Sequence, residues 1–139
     1  MSLAELLFSF NGRIGRRKFW LWNASYYLII LAVASIVGKL MPELAKYVFT
    51  VLLIVLIIPD LAVTAKRWHD RNKSNKWLLL NIPLILGRMM FPAAGAVAEA
   101  SPLQAGISLS ALVAGAWILV ECGFLKGDPT DNDYGQPDV

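Results

Sequence analysis

The sequence predicts an all-α polytopic membrane protein with four transmembrane helices and both termini on the cytoplasmic side. Composition is the first observation behind this prediction, because 57% of the 139 residues are hydrophobic and only 17% are charged, well away from the balance of soluble domains. The second observation is that the charges lie in short segments between apolar runs close to membrane-spanning length. The third is an asymmetry in basic residues between alternate segments.

Four apolar segments qualify as helices that cross the hydrocarbon layer, which takes about 20 residues at roughly 1.5 Å per residue. The predicted spans are 19–40, 47–65, 77–91 and 103–125. The first begins with aromatic residues typical of the membrane interface, and the second is the most hydrophobic, with a kink predicted at Pro59. The whole chain is expected to form a single membrane domain.

The third span is the least regular of the four, because Asn81, Pro83 and Arg88 interrupt it. It is compatible with a short tilted span or with a re-entrant hairpin. We expect a span, because Trp77 and Arg88 lie near its two ends and each can extend to an interface. The residues 92–102 predict an external loop or a short surface helix. The fourth span carries small residues at a spacing that lets helices approach closely, namely Gly106, Ser110 and Ala114.

Basic residues are distributed unequally between the two sides of the predicted membrane domain. Ten of the 13 Lys and Arg residues fall in the N-terminal segment 1–18, the loop 66–76 and the tail 126–139. The three on the opposite side are Lys39, Lys46 and Arg88. Because cytoplasmic loops are enriched in Lys and Arg, both termini and the loop 66–76 are predicted to be cytoplasmic. The segment 1–18 is predicted to begin as an amphipathic helix on that leaflet.

The loop 66–76 is the most basic part of the chain, and Trp68 and Trp77 are interleaved with its charges. Basic residues beside aromatic ones at a membrane surface favour binding of anionic headgroups, at about 1 kcal/mol per charge. The residues predicted to contact headgroups are Lys66, Arg71, Lys73 and Lys76. A role as a topological anchor is compatible with this one. Nucleic acid is not an expected partner, because the basic residues lie beside apolar spans.

Asp60 and Glu121 are acidic residues inside apolar spans, and intramembrane acids usually face a partner within the bundle. Each is predicted to lie about 8 Å below the cytoplasmic surface. Either they pair with basic residues and hold the helices together, or they form an ion or proton site in a small transporter or channel subunit. We hypothesise that Arg13, Arg16 and Arg67 pair with Asp60, Asp70 and Glu121. With Arg17 and His69, these residues make up the predicted polar cluster.

Catalytic and metal-binding chemistry is not predicted. His69 and Asp70 are adjacent, so their side chains point in different directions on a helix. The chain has one His and one Cys, too few for the common transition-metal sets, and it contains no GxSxG nucleophile motif. The tail 126–139 is acidic but lacks the bidentate Glu of a calcium loop. We therefore expect no cofactor, no metal and no enzyme activity.

Three motifs together resemble a known family. They are FNGRIGRRKFW (10–20), PDLAVTAKRWHDRNKSNKW (59–77) and GDPTDNDYG (127–135). Their order and spacing are similar to those of the small bacterial inner-membrane proteins of domain-of-unknown-function family number 805. The matching residues are Phe10, Gly12, Arg13, Arg16, Phe19 and Trp20, then Arg67, His69, Asp70, Ser74 and Trp77, and finally Asn132, Tyr134 and Gly135. The chain departs from the family pattern at Lys66, Trp68, Arg71 and Lys76.

The resemblance implies a helical protein of a bacterial inner membrane and no enzyme activity, because none defines the family. We therefore expect a non-catalytic interaction or membrane-homeostasis protein that binds partner membrane proteins or anionic lipids at its cytoplasmic face. A small transporter or channel subunit is the alternative. The small residues of the fourth span predict an interface with a second copy of the chain or with a partner protein.

Overall fold

The computed structural model describes residues 1–94 and 101–138, and this part of the chain is helical without a β-strand. Most of the predicted loop 92–102 lies outside the described residues. The α-helices are α1 (Leu3–Phe8), α2 (Arg16–Leu40), α3 (Ala45–Asp70), α4 (Asn81–Ala94) and α5 (Pro102–Ile118). A 3₁₀-helix, Asn75–Leu80, leads into α4, and a π-helix, Leu119–Phe124, continues α5.

Side chains at two helix N-termini explain where those helices begin. Ser2 Oγ accepts a hydrogen bond from Glu5 N at 3.1 Å, and the Glu5 carboxylate accepts one from Ser2 N at 2.8 Å. Ser101 and Gln104 make the same reciprocal pair at the start of α5, where Pro102 takes the first helical position. Such capping boxes satisfy backbone N–H groups that have no partner within the helix.

Helix α3 is longer than the sequence predicted and shortens the basic loop. The predicted span 47–65 is extended to Ala45–Asp70, so the first five residues of the predicted loop 66–76 are helical. The helix ends because Asn72 adopts a left-handed conformation (φ 57°), which Asn tolerates better than most residues. Asn72 N then donates to His69 O and Lys73 N to Trp68 O, both at 2.9 Å, which satisfies carbonyls of the last turn.

The third predicted span, 77–91, is divided between two helix types. The 3₁₀-helix occupies Asn75–Leu80, and the 14 residues of α4 follow directly. Pro83 is tolerated because it lies in the first turn of α4, where its missing N–H has no helical acceptor. Helix α4 alone is shorter than the roughly 20 residues that a membrane crossing takes.

Helix α3 is the central element of the fold. It packs against α1, α2, α4 and both short helices, and its residues from Ala62 to Asp70 are all buried. Helices α2 and α5 carry many exposed apolar side chains, such as Leu31 at 64% and Leu112 at 72% exposure. Apolar side chains exposed along a whole helix are typical of contact with lipid.

Helices α4 and α5 approach closely through small residues. A Cβ added at Gly87 would lie 2.6 Å from Ala111 Cβ, and one at Gly115 would lie 3.4 Å from Leu84. Part of the small-residue surface of α5 is therefore used within the chain, and Ala114 is buried as well. Gly106, near the start of α5, has no atom within 4 Å of its Cβ position and remains on the surface.

Candidate functional site

The end of α3 carries a buried carboxylate that two arginines share. Arg13 Nε donates to Asp70 Oδ1 at 3.1 Å, and Arg67 Nη1 donates to Asp70 Oδ2. Both guanidinium groups are almost completely buried, with side-chain exposures of 1% for Arg13 and 0% for Arg67. Buried charges are tolerated when both partners are paired and their remaining donors are satisfied. We call Arg13, Arg67 and Asp70 the Asp70 junction.

The other N–H groups of the junction bind main-chain carbonyls of the C-terminal segment. Arg13 donates to Thr130 O at 2.8 Å, to Gly135 O at 3.0 Å and to Asp128 O. Arg67 donates to Cys122 O and Leu125 O, both at 2.6 Å. The junction therefore connects the N-terminal segment, the end of α3 and the chain beyond α5.

Gly127 lets the tail pass directly over this junction. A Cβ at Gly127 would overlap the Asp70 carboxylate, so a side chain does not fit there without a shift. The next residue, Asp128, donates its N–H to Asp70 O at 2.7 Å. Hydrogen bonds from the Thr130 hydroxyl and N–H hold the pKa of the Asp128 carboxyl below its ordinary value.

His69 is held by residues of all three motifs. Its ring stacks on Tyr134 with centroids 3.9 Å apart and planes within 2°, and Nδ1 lies 3.0 Å from Gly12 O. The other ring nitrogen, Nε2, lies 2.7 Å from Asn75 Oδ1, and Asn132 Nδ2 donates to His69 O at 3.0 Å. The position of His69 is thus set by stacking and hydrogen bonds within the chain.

Lys66 does not lie where the sequence placed it. It was expected to contact lipid headgroups, whereas its side chain is fully buried and Nζ donates to Glu5 O at 2.6 Å and to Leu6 O. Both carbonyls belong to α1, and Glu5 O also accepts from Ser9 N at 3.1 Å. Lys66 therefore holds α1 against α3.

Glu121 pairs with two other residues of the predicted headgroup set. Its Oε2 accepts from Arg71 Nε at 3.0 Å and from Lys73 Nζ at 3.1 Å, and Lys73 Nζ lies 4.4 Å from the Trp77 ring centroid. The predicted partners of Glu121 were Arg13, Arg16 and Arg67, so this part of the pairing hypothesis is wrong. Of the predicted headgroup set, Lys76 remains exposed.

Asp60 also has a partner that the pairing hypothesis missed. Arg88 Nη1 lies 3.0 Å from Asp60 Oδ2, and Trp22 Nε1 donates to Asp60 Oδ1 at 3.0 Å. Arg88 was assigned to the far side of the membrane, but its guanidinium lies 4.5 Å from the Tyr26 ring centroid, inside the bundle. Asp60 lies ten residues before the end of α3, about 15 Å along the helix axis. Opposite charges on neighbouring apolar helices were the signal for this pair.

Four other basic residues line a cleft at the same end of the bundle as the Asp70 junction. The cleft has a volume of about 580 Å³, and its cationic residues are Arg16, Arg17, Lys18 and Lys126. We call it the basic cleft. Asp138 occupies one side of it, where its carboxylate accepts from Gly15 N and from Lys18 Nζ, both at 2.9 Å. Arg17 and Lys126 are exposed, and their side chains have no ion-pair partner in the described part of the chain.

Arg16 binds the protein main chain, and no carboxylate pairs with it among the described residues. Its Nη1 donates to Phe124 O at 3.0 Å, at the end of the π-helix. The structure thus brings Arg13, Arg67, His69 and Asp70 together, and it leaves Arg16, Arg17, Asp60 and Glu121 outside that group. Within residues 1–94 and 101–138, no three His, Cys, Asp or Glu side chains meet in a way that could hold a metal ion.

The fold defines a helical membrane protein. In its described residues, three helices are long and apolar enough to cross a membrane, by length and composition: Arg16–Leu40, Ala45–Asp70 and Pro102–Phe124. The chain belongs to the family described as protein of unknown function DUF805, whose model matches residues 7–136. This match confirms the resemblance that the three motifs indicated.

Two relatives from Escherichia coli strain K12 are similar to the chain. Uncharacterized protein YiiR is 33% identical over 137 residues, which cover 98% of this chain and 90% of the relative. Inner membrane protein YhaI is 30% identical over 83 residues, which cover 58% of this chain and 67% of the relative. No solved structure matches the chain.

Proposed function

We propose that the protein is a non-catalytic, four-span component of a bacterial inner membrane that binds anionic lipid headgroups at its cytoplasmic face. Binding takes place in the basic cleft. The observation that carries the proposal is the meeting of Arg16, Arg17, Lys18 and Lys126 in one cleft of about 580 Å³. The name of the relative YhaI supports the assignment to an inner membrane.

The length of the third hydrophobic segment supports four spans. The six residues of the 3₁₀-helix extend about 12 Å and the 14 residues of α4 about 21 Å, so together they extend about 33 Å. This is close to the roughly 30 Å of a hydrocarbon layer. Four crossings place both termini on one side, and the excess of basic residues at that end favours the cytoplasm.

Unpaired cations at the end of the apolar helices support headgroup binding. Two of the acidic residues that line the cleft are neutralised within the protein, because Asp70 pairs with Arg13 and Arg67 and Asp138 pairs with Lys18. Arg17 and Lys126 therefore retain their charge for a ligand. A basic residue at a membrane surface contributes about 1 kcal/mol to the binding of anionic lipid.

The experiment that tests this proposal compares two matched double variants. Native mass spectrometry of the detergent-purified protein measures binding of phosphatidylglycerol and of phosphatidylcholine. Wild type should prefer phosphatidylglycerol, and R17Q/K126Q should lose about tenfold or more of that preference, as expected for two surface charges. K39Q/K46Q removes the same charge from exposed residues at the other end of the bundle and should change little. Equal binding of both lipids by wild type, or an equal loss in the control, contradicts the proposal.

A small transporter or channel subunit that uses Asp60 and Glu121 has less support. Asp60 is paired with Arg88 between the helices, whereas Glu121 is paired with Arg71 and Lys73 near the end of α5. An ion pathway that uses both acids would have to break both sets of ion pairs.

A further inference from the structure

A second cleft, separate from the basic cleft, opens between α2 and α5. The two helices are connected at the π-helix, where Trp20 Nε1 donates to Gly123 O at 2.8 Å and Trp20 packs against Phe124. Elsewhere in the part of the chain that the structure describes, the backbones of α2 and α5 do not come together. This leaves a groove of about 530 Å³ whose walls include Ile30, Leu53 and Leu112. We call it the lateral groove.

Arg88 and Tyr27 bring hydrogen-bond donors to the lateral groove. An Arg side chain has about five N–H donors, and the described residues accept two hydrogen bonds from Arg88, at Asp60 Oδ2 and at Tyr27 Oη. Because Tyr27 Oη accepts from Arg88, its own O–H proton remains to be donated, and this residue is half exposed. A ligand that suits these donors must carry an acceptor oxygen, since donors in hydrocarbon favour a partner.

The depth of the groove restricts which molecule can supply that oxygen. Asp60, the partner of Arg88, lies about 15 Å from one end of α3, whose 26 residues extend about 39 Å. In a helix that crosses a hydrocarbon layer roughly 30 Å thick, a residue this far from both ends lies well inside the layer. Phospholipid ester groups lie at the boundary of that layer, so they do not reach the pair. The oxygen must belong to an uncharged molecule that dissolves in the hydrocarbon itself.

We propose that the lateral groove binds the ring of an isoprenoid quinone. A quinone is a flat uncharged ring whose two carbonyl oxygens accept hydrogen bonds, and its isoprenoid chain is soluble in the bilayer interior. One carbonyl accepts from the Tyr27 hydroxyl and the Arg88 guanidinium. The apolar walls of the groove, including Ile30 and Leu112, offer hydrophobic surface for the rest of the ring. The proposal concerns binding and is independent of the headgroup cleft.

Photolabelling of the full chain in phosphatidylcholine nanodiscs tests the proposal. The probe is a short-chain azido-ubiquinone, and labelled peptides are identified by mass spectrometry. Labelling should be saturable, should fall in α2 and α5 beside the groove, and should be competed by decylubiquinone. Competition by oleic acid at the same concentration would overturn the proposal, because the groove would then accept any acyl chain.

Two variants with controls distinguish binding in the groove from a general effect on the fold. L112W fills the groove and should abolish saturable labelling, whereas L109W places the same side chain on an exposed position of α5 outside the groove and should retain it. Y27F removes the donor, keeps the ring and leaves the Asp60–Arg88 pair, so decylubiquinone should bind about tenfold more weakly. Equal labelling of L112W and wild type, or unchanged affinity in Y27F, overturns the proposal. Unfolding curves matching wild type establish that each variant is folded.

Discussion

Asp60 and Asp70 lie ten residues apart on α3, and each forms a buried ion pair with arginine, but their surroundings differ. Asp70 is shared by Arg13 and Arg67, and the remaining donors of both guanidinium groups bind carbonyls of the tail and of the π-helix. Asp60 pairs with Arg88 alone, and the buried Nε of Arg88 has no partner among the described residues. A fully satisfied charge network rigidifies a fold, whereas spare donors leave capacity for a ligand. The comparison therefore assigns a structural role to the Asp70 junction and a binding role to the surroundings of Arg88.

The largest effect is expected when Asp70 loses its charge. D70N leaves Arg13 and Arg67 buried without a counter-charge, and breaking one side of a buried pair costs about 3 to 5 kcal/mol. The free energy of unfolding, measured by SDS titration in mixed micelles, should fall by that amount. D131N, an equivalent change at an exposed residue of the tail, should leave it within about 0.5 kcal/mol. A D70N protein as stable as wild type would show that the junction does not hold the three segments together.

The Asp60–Arg88 ion pair should tolerate the loss of both charges better than the loss of one. D60N leaves the Arg88 charge in the bilayer interior, and on insertion scales such a charge costs about 2.5 to 3.5 kcal/mol. The double variant D60N/R88Q removes both charges and should recover most of the stability that D60N loses. A double-mutant cycle by SDS titration measures this coupling. If the two single losses simply add, Asp60 and Arg88 do not interact and the comparison with Asp70 fails.

Gly127 tests how closely the tail must approach Asp70. In G127A the new Cβ overlaps the Asp70 carboxylate, and the resulting shift should cost about 1 to 3 kcal/mol of unfolding free energy, as for overpacking in a core. G38A on α2 is the matched control, because a Cβ there has no atom within 4 Å, so it should be neutral or slightly stabilising. Equal stability of G127A and wild type would mean that the tail can bind the junction from a greater distance.

The two regions also differ in how far the sequence predicts them. The long apolar helices follow from composition, because hydrocarbon rejects charge and requires about 20 apolar residues per span. The grouping of Arg13, Arg67 and Asp70 on one side followed from motif position. The partners predicted for Asp60 and Glu121 were wrong. Which side chains meet depends on how each helix is rotated about its axis, and the hydrophobicity pattern of a lipid-exposed helix defines that rotation only weakly. The prediction that Lys66 contacts lipid headgroups was wrong. Its partners are backbone carbonyls, and the sequence carries no residue-specific signal for such partners.

The smallest effect is expected at Asp138, which separates the structural role of the tail from ligand binding. Its carboxylate binds Gly15 N at the start of α2 and Lys18 Nζ, so it occupies the position that an anionic headgroup would take in the basic cleft. A partly exposed anion at a helix N-terminus contributes about 0.3 to 1 kcal/mol. D138N should therefore leave the unfolding free energy nearly unchanged and should raise the affinity for phosphatidylglycerol about two- to fivefold, measured by native mass spectrometry. D133N, at an exposed tail residue outside this cleft, should change neither the unfolding free energy nor the affinity for phosphatidylglycerol. A different outcome is that D138N binds phosphatidylglycerol no better than wild type while R17Q/K126Q binds it worse. The cleft would then bind lipid without competition from the tail, and Asp138 would be a structural contact like those of the Asp70 junction.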